Sequence, residues 1–376
     1  MKEVVIYIFK IFINIVYSFF KLFPTNKNKV IFLSRQRNTP SINFNFLIKA
    51  IKEKDEKIVI ATSCKRLEKT PRGLIGYFFH LFYEMWHLAT SKVAILETYS
   101  ITVSNLCHKK SLKVIQMWHA MGSLKKFGYS ILDQEEGSSS KMAKLMNMHK
   151  NYDYVMTSSK ACVPYFMEAF HAERNKMFID GLPVVDEMVS KDYQKRVVEG
   201  LKEEYPILKK KKTILYCPTF RKTKSTSRYI KQLIDCVDFK KYNLVIKLHP
   251  NSKVKIKDER VLVENKHTTI KFAFLADYII TDYSAIVFEL SLLNKPIFFY
   301  TYDYDKYINT RNFYINFKDE MPGLITKDPK EIIKAIKKED FDVSQVKKFR
   351  KKYIEIPKEG CTEKLVNLIF SLLEQK

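Results

Sequence analysis

From residue 25 onward, short apolar runs alternate with amphipathic stretches, a pattern typical of buried parallel strands that alternate with helices. Two helices are predicted at Asn45–Glu53 and Pro164–Phe170, and Gly181-Leu182-Pro183 closes this first series. The predicted strands of the series are Val30–Ser34, Ile58–Thr62, Val93–Glu97, Lys113–Trp118, Tyr154–Ser158 and Met177–Asp180.

The pattern restarts after a lysine-rich segment, residues 191–212, which is interpreted as an interdomain connection. The predicted strands here are Thr213–Cys217, Asn243–Lys247, Val261–Val263, Tyr278–Thr281 and Pro296–Tyr300. The predicted helices are Tyr229–Val237, Thr268–Ala276, Ala285–Leu293, Asp328–Lys338 and Gly360–Glu374. The last two would cover the second domain or cross back to the first.

A chain of 376 residues exceeds the size at which a single core stops growing, about 250–300 residues. Two successive β/α series therefore predict an α/β protein with two Rossmann-like domains facing across a cleft, the layout of B-type glycosyltransferases. The expected domain bounds are 25–190 and 213–376, joined by the connection and preceded by an N-terminal helix in residues 1–24.

The N-terminal helix is almost entirely aliphatic and aromatic between Val4 and Phe23, and no small-residue cleavage site follows it. Its few polar residues recur at helical spacing, which gives a narrow polar stripe of Lys10, Asn14, Tyr17 and Lys21. This pattern favours an interfacial membrane anchor over a membrane span. A helix packed on the protein's own core is the alternative.

The charge balance adds a partner class to this picture. Lysine and arginine outnumber the acidic residues 66 to 41, a net charge of +25, so the protein should be attracted to nucleic acid, anionic lipid or a phosphate-bearing substrate. The six cysteines form no CxxC pair and no cluster with histidine, which indicates neither a zinc site nor a disulfide framework and fits a cytosolic compartment.

Candidate chemistry lies where the predicted strands end, because ligands of open α/β sheets bind beyond the carboxyl ends of strands. One strand ends at His119, followed by a glycine turn and by Lys125 and Lys126. A histidine beside cations can act as a general base while the lysines collect phosphate. A second strand ends in Lys247-Leu248-His249, so each predicted domain offers one strand-end histidine.

Three further strand ends carry polar residues. Thr281, Asp282 and Ser284 lead directly into a predicted helix, whose first N–H groups would form a phosphate site, although plain helix capping is an alternative for Asp282 and Ser284. Arg221 follows the strand that ends at Cys217, and Arg311 follows the last strand of the series. Both are candidate phosphate ligands.

Taken together and in this order, the motifs resemble the CDP-glycerol glycerophosphotransferase family of teichoic-acid synthesis. The resemblance covers about residues 25 to 370. The matching segments are His119 with Lys125 and Lys126, Gly181 to Asp186, Tyr216 to Arg221, Lys247 to Pro250, Thr281 to Ala285, and Phe299 to Arg311 with Pro322-Gly323. Ala120, Ala285 and Asn312 depart from the commonest residues of the family pattern.

The resemblance implies a transferase that moves a polyol phosphate from a CDP-activated donor to a hydroxyl of a lipid-linked acceptor and releases CMP. Glycerol phosphate is the predicted group, and ribitol phosphate is the alternative. The resemblance also implies His119 and His249 as catalytic residues, with the first domain on the acceptor side. From the anion-site reasoning above, we expect donor contacts from Lys247, Thr281, Asp282, Ser284, Arg221 and Arg311, and phosphate or acceptor contacts from Lys125 and Lys126.

No cofactor and no metal are expected, because a basic cleft can supply the positioning and charge neutralisation that phosphoryl transfer needs. The Asp303-Tyr304-Asp305 sequence has the DxD form of a metal site but fits the family's own aspartate and tyrosine stretch better. The expected location is the cytoplasmic side of the cell membrane, with peripheral attachment to its anionic surface.

Two rival functions remain open at this stage. The charge would suit a nucleic-acid-binding protein, but no RRM, KH, helix-turn-helix or zinc signature accompanies it, so no nucleic-acid partner is expected. A sugar-nucleotide glycosyltransferase of the same B-type architecture would use the same two histidines and basic cleft for a hexosyl donor.

Overall fold

The computed structural model describes residues 2–68, 70–221, 226–249, 252–310 and 312–375. The chain forms two compact units. Unit 1 comprises Met1–Met121, Lys126–Asp186 and Glu355–Lys376, and unit 2 comprises Gly122–Lys125 and Glu187–Ile354. Each unit is built around one parallel sheet, which confirms the prediction of two parallel-sheet α/β domains.

The sheet of unit 1 has six parallel strands in the spatial order β2-β1-β3-β4-β5-β6. Its strands are β1 (Asn26–Ser34), β2 (Val59–Cys64), β3 (Ser91–Leu96), β4 (Lys113–Gln116), β5 (Tyr154–Thr157) and β6 (Met177–Ile179). The order reverses between β1 and β3, so the ligand-binding edge of such a sheet is expected where these two strands end.

The central strand β3 of unit 1 is buried along its whole length, which indicates that helices cover both faces of the sheet. These helices are α1 (Lys2–Phe20), α2 (Ile42–Lys54), α3 (Pro71–Thr90), α4 (Ile101–Asn105), α5 (Ser140–Leu145) and α6 (Val163–Phe170), together with the terminal helix α16 (Cys361–Glu374). Helix α7 (Val184–Val189) carries the chain into unit 2.

The sheet of unit 2 also has six parallel strands, in the order β12-β11-β10-β7-β8-β9. Its strands are β7 (Lys212–Tyr216), β8 (Tyr242–Ile246), β9 (Val261–Val263), β10 (Tyr278–Thr281), β11 (Ile297–Tyr300) and β12 (Ile325–Thr326). The order reverses between β7 and β10, as in dinucleotide-binding folds.

Half of the α-helices described in unit 2 begin at a side chain that accepts a hydrogen bond from the first turn. Ser190, Asn316, Asp328 and Asp342 do so for four of the eight. The helices are α8 (Lys191–Glu204), α9 (Thr226–Cys236), α10 (Thr269–Leu275), α11 (Ile286–Ser291), α12 (Tyr304–Thr310), α13 (Phe317–Glu320), α14 (Pro329–Lys338) and α15 (Val343–Tyr353).

The predicted domain bounds differ from these units at two places. Helix α16 packs on α2, β1 and β3 of unit 1, where Leu365 and Ile369 are fully buried. The end of the chain therefore belongs to unit 1, whereas the predicted bounds placed it in the second domain. The predicted connection, residues 191–212, is instead part of unit 2: it forms α8, which packs against α10, and the beginning of β7.

Helix α3 was not predicted, although its first turn has clear signals. Thr70 accepts a hydrogen bond from the Gly73 amide, and Pro71 occupies the first position of the helix. The helix buries Leu81 and Met85 on one side and exposes large apolar residues on the other. An apolar surface on both sides gives no amphipathic signal, which explains why the periodicity did not reveal it.

The predicted N-terminal helix is present as α1, but its polar stripe faces its own domain. Lys10 Nζ donates to the Leu145 carbonyl at 2.7 Å. Asn14 donates to the Asn105 carbonyl and accepts from the Cys107 amide. Tyr17 is fully buried, with its hydroxyl 2.9 Å from His108 Nδ1. The apolar side of α1 therefore faces outward.

Candidate active site

The predicted base His119 lies just beyond the end of β4, within unit 1. Its Nδ1 lies 2.9 Å from the main-chain carbonyl oxygen of Glu97, which follows β3. A carbonyl can only accept, so Nδ1 carries the proton and Nε2 of the neutral ring carries the lone pair. The hydrogen bond therefore fixes the tautomer that a general base requires.

The surroundings of His119 favour its neutral form. Burial of the ring lowers the pKa of His119, and the hydrogen bond to the Glu97 carbonyl opposes this effect without cancelling it. His119 is nevertheless exposed to solvent as a residue. A neutral imidazole on an exposed residue can accept a proton at physiological pH.

The residue before the histidine has a constrained backbone. Trp118 has a φ of 63°, in the left-handed region that bulky side chains rarely adopt. Its amide donates to the Gln116 side-chain oxygen at 3.0 Å, and its ring stacks on Phe127 with centroids 4.9 Å apart. The sharp turn is thus held at both ends and directs His119 back toward Glu97.

The end of β3 is also tied to the end of β1, where the strand order of unit 1 reverses. Ser34 donates to the Glu97 carboxylate at 2.6 Å, and both side chains are buried. Glu97 thus joins the switch point of the sheet to the histidine. Glu97 could not be predicted from the sequence, because its role comes from a main-chain carbonyl that any residue type could supply.

At the switch point of unit 2, Asp282 connects the ends of β10 and β7. One of its oxygens accepts from both the Thr219 amide at 2.9 Å and the Thr219 hydroxyl at 2.6 Å. The other oxygen accepts from Arg221 at 2.8 Å, and Asp282 has no exposed surface. A buried carboxylate with this many donors stabilises the strand-end turn.

Arg221 lies between two carboxylates. It pairs with Asp282 and also makes a two-point contact to Asp303, with Nε and Nη2 at 2.8 and 3.2 Å. Burial acts to lower the pKa of the Arg221 guanidinium, but the two aspartates outweigh it and raise that pKa. In the sequence, Asp303 stands out only as part of a DxD motif, which does not indicate its pairing with Arg221.

Tyrosine rings surround the guanidinium of Arg221. Its carbon lies 5.3, 5.5 and 4.8 Å from the ring centroids of Tyr283, Tyr302 and Tyr307. Tyr283 and Tyr307 stack at 3.9 Å, and Lys125 Nζ donates to the Tyr307 hydroxyl at 2.6 Å. Burial raises the pKa of Tyr302 to about 12, so this phenol stays neutral.

Lys247 lies at the end of β8 in a buried ion pair. Its Nζ lies 2.6 Å from Glu264 Oε2 and donates to the His267 carbonyl at 2.6 Å, and both charged side chains are about 4% exposed. Burial acts to raise the pKa of Glu264, but the hydrogen bond and charge of Lys247, together with main-chain hydrogen bonds from His267 and Lys266, outweigh it and lower that pKa. This lysine supports the strand end rather than presenting a charge at the surface.

His249 lies beyond the same strand and is exposed. Its ring packs on Phe220 with centroids 5.4 Å apart, which places it near the end of β7. It lines a cavity of about 550 Å³ together with Lys255 and Lys257. A histidine and two lysines around a cavity of this size suit a phosphorylated ligand.

The remaining predicted residues differ in exposure. Thr281 is buried and donates to the Cys217 carbonyl, whereas Ser284 is partly exposed and accepts from the Ile286 amide at 3.4 Å. Lys125 lies in unit 2, but Lys126 lies in unit 1 and faces Glu168 at 3.4 Å. Arg311 falls outside the described residues.

The structure thus brings part of the predicted set together. Arg221, Asp282 and Lys125 share one cluster in unit 2 through Asp303 and Tyr307, and Lys247 and His249 follow the neighbouring strand. Among the described residues, no group of three or more histidine, cysteine, aspartate or glutamate side chains is arranged to hold a metal ion.

The chain is similar to a known protein family over most of its length. The model of the family described as CDP-Glycerol:Poly(glycerophosphate) glycerophosphotransferase matches residues 15–371. The chain belongs to this family. The resemblance seen in the sequence motifs is confirmed, and the chain is a phosphotransferase of the group that includes the teichoic-acid primases and polymerases.

Individual family members resemble the chain over most of its length. A teichoic acid ribitol-phosphate primase of Bacillus spizizenii is 32% identical, over 94% of this chain and 93% of its own. A teichoic acid glycerol-phosphate primase of Bacillus subtilis is 30% identical, over 78% and 77%. The solved wall teichoic acid polymerase TagF has the same fold, with a TM-score of 0.76 at 18% identity, covering 99% of this chain and 97% of that one.

Proposed function

We propose that the protein transfers a polyol phosphate from a CDP-activated polyol to a hydroxyl of a lipid-linked acceptor and releases CMP. Membership of the glycerophosphotransferase family supports the reaction class. The observation that carries the assignment is His119, whose Nδ1 is bonded to the Glu97 carbonyl so that Nε2 can accept a proton. Neither a nucleic-acid-binding protein nor a hexosyl transferase is favoured by the family match.

In this mechanism, His119 Nε2 takes the proton of the acceptor hydroxyl. The acceptor oxygen forms a bond to the phosphorus that carries the polyol, and the bond from that phosphorus to the CMP oxygen breaks. The electron pair leaves with CMP. Phosphoryl transfer depends mainly on positioning and on neutralising charge, which a basic site supplies.

We assign the donor phosphates to His249, Ser284 and Arg311. His249 and Ser284 both have exposed surface beyond strand ends of unit 2, which supports direct contact. Thr281, Asp282, Arg221 and Lys247 are also predicted donor residues, but their polar atoms are engaged by protein partners. We therefore propose that these four act on the donor by holding the turns that contact it.

We assign Lys125 and Lys126 to phosphate or acceptor binding, as the sequence predicts. Lys125 has the more specific environment, because its ammonium contacts both the hydroxyl and the ring of Tyr307. Tyr307 in turn packs its ring against the guanidinium of Arg221, so Lys125 contacts the same cluster. Lys126 instead lies on the surface of unit 1 beside Glu168.

Glycerol phosphate remains the predicted group for transfer, and ribitol phosphate is the second candidate. The ribitol candidate is supported by the ribitol-phosphate primase relative, which aligns with 94% of this chain. The glycerol candidate is supported by the family description and by the glycerol-phosphate primase relative.

We further propose peripheral attachment to the cytoplasmic side of the membrane through α1 and α3. By length and composition Glu3–Phe20 could cross a membrane, but its polar stripe is bonded to unit 1, which supports a helix lying in the interface. The two helices pack through Phe12–Phe78 and Phe20–Trp86 contacts. Each leaves large apolar residues exposed: Val4, Val5, Tyr7, Ile8, Ile11, Phe12, Ile15 and Phe19 on α1, and Leu74, Ile75, Phe79, Tyr83 and Trp86 on α3.

The test is incubation of the purified protein with CDP-glycerol or CDP-ribitol and a synthetic lipid-linked acceptor, followed by mass analysis of the product. UDP-hexoses serve as control donors. A product heavier by one or more polyol phosphate units, with CMP released in equal amount, supports the proposal and names the polyol. Transfer of a hexose, or no product from either CDP-polyol, would contradict it.

A further inference from the structure

A second basic cavity lies in unit 1, at the edge of the sheet opposite His119. Its volume is about 580 Å³. Lys113 begins β4, while Asp153 and Lys176 immediately precede β5 and β6, so the cavity lies at the amino ends of these strands. His119 follows the carboxyl end of β4. The cavity is therefore separate from the candidate active site.

The lining of this cavity is strongly cationic. One carboxylate, Asp153, lines it, and this group accepts from the Val114 amide at 2.8 Å and lies 3.8 Å from Lys113. The lysines that line the cavity are Lys109, Lys110, Lys113, Lys150 and Lys176. Lys110 and Lys150 are exposed and so can reach a ligand at its mouth.

Helix α1 forms contacts along the rim of the cavity. Asn14 bonds to Asn105 and Cys107, and Tyr17 bonds to His108 at 2.9 Å, and these three partners all line the cavity. Lys109 donates to the carbonyl of Phe23, just after the helix, at 2.6 Å. The helix whose outer side is apolar thus has its polar side bonded to the cavity wall.

The lysines at this rim repel one another. Burial and the charge of Lys150 lower the pKa of Lys10, and burial and the charge of Lys21 lower the pKa of Lys109. Asp153 is the one carboxylate among the described lining residues, and a single acid cannot balance the charge of the five lysines. A bound anion would remove this repulsion.

We propose that this cavity binds the phosphodiester headgroup of an anionic membrane lipid. The volume suits one small ligand rather than a polymer. The neighbouring α1 would place the cavity mouth at the depth of the headgroups, and basic residues near an anionic surface add to binding. The inference rests on the membrane contact of α1 proposed above, and it adds the lipid class and the residues that select it.

The test compares vesicles of phosphatidylcholine with vesicles that also contain phosphatidylglycerol, using co-sedimentation of the intact protein. The variant is Lys110→Gln/Lys150→Gln, two exposed residues whose replacement leaves the core unchanged. The matched control is Lys347→Gln/Lys348→Gln, an equal loss of charge on the exposed surface of α15. Inorganic phosphate and glycerol 3-phosphate, at constant ionic strength, serve as soluble competitors.

We expect the cavity variant to lose roughly 10–30-fold in affinity for phosphatidylglycerol vesicles and to bind phosphatidylcholine vesicles as the unmodified protein does. The control pair should change neither. Equal losses in both pairs, or no loss in the cavity variant, would overturn the proposal. Displacement by the soluble anions without any preference for phosphatidylglycerol would assign the cavity to a soluble ligand instead and would also overturn it.

Failure of the membrane contact itself gives a different result. If the intact protein sediments with neither vesicle type, then both the membrane placement of α1 and the lipid assignment are wrong. If Ile8→Gln/Ile15→Gln on the exposed side of α1 abolishes binding to both vesicle types while the cavity variant binds normally, only the headgroup cavity is wrong.

Discussion

The Nδ1 atom of His119 lies 2.9 Å from the carbonyl oxygen of Glu97, and this one hydrogen bond determines which ring nitrogen can act as a base. Glu97 is itself buried and bonded to Ser34 at the switch point of the sheet. The histidine therefore owes its tautomer to the framework of unit 1 rather than to a neighbouring carboxylate. This relationship makes the chemistry sensitive to the protonation of Nε2.

The pH dependence of transfer should reflect the lowered pKa of His119. Because the surroundings lower the pKa of His119 below its ordinary value of 6.5, the ring stays neutral until the pH falls below that value. We expect the acid limb of the kcat profile to have its midpoint below pH 6.5. The measurement is CMP release against pH at saturating donor and acceptor. A midpoint at or above 6.5 would contradict the assignment.

Removing Arg221 should destabilise unit 2. Arg221→Ala leaves Asp282 and Asp303 close together, buried or half-buried, without their cation, and loss of one partner of a buried pair costs about 3–5 kcal/mol. Arg196→Ala, on the exposed surface of α8, is the control and should cost less than about 0.5 kcal/mol. Urea unfolding provides both values. If both variants lowered the free energy of unfolding by a similarly small amount, Arg221 would not stabilise unit 2.

Lys247 and Glu264 should be strongly coupled. Each single neutralisation, Lys247→Met or Glu264→Gln, leaves a buried charge alone and should cost about 3–5 kcal/mol. The double variant should recover a large part of that loss, because no uncompensated charge remains. A double-mutant cycle by urea denaturation measures the coupling. Additive losses would show that the two side chains act independently.

Asp180 should make the stability of unit 1 depend on pH. Burial raises the pKa of this carboxyl from 3.8 to about 8, so its favourable contribution is complete below pH 3.8 and is lost as the pH rises toward 8. Asp180→Asn should therefore raise the free energy of unfolding at about pH 9 by on the order of 1–3 kcal/mol, with a gain that shrinks toward acid pH.

The control for Asp180 is Asp192→Asn, an exposed aspartate of α8. It should show no such trend when thermal unfolding is followed across the same pH range. A gain for Asp180→Asn that is equal at acid and alkaline pH would contradict the buried-carboxyl interpretation.

The strands could be predicted from the sequence because buried parallel strands are short, continuous apolar runs. The predicted Tyr278–Thr281 and Val261–Val263 match β10 and β9 at both ends. Strand β12 has only two residues, too few for a pattern, and α3 is apolar on both sides. Neither element has the periodicity on which such a prediction depends.

The site was less predictable than the fold. The sequence placed His119, His249 and Asp282 beyond strand ends, because ligands of α/β sheets bind there. It could not show that Arg221 would pair with Asp303, since 82 residues separate them in the chain. Nor could it show the direction of the α1 polar stripe, because the same spacing suits a stripe that faces water and one that faces protein.

In the proposed mechanism His119 is the base for transfer and does not bind the donor. The most direct measurement is His119→Ala, assayed both for polyol-phosphate transfer and for binding of the CDP-polyol, with His171→Asn as an exposed histidine control in the same unit. We predict a loss of transfer of about 10²–10⁴-fold, with donor affinity within a few-fold of the unmodified protein. Transfer at near the original rate, or a loss explained entirely by weaker donor binding, would show that His119 is not the base.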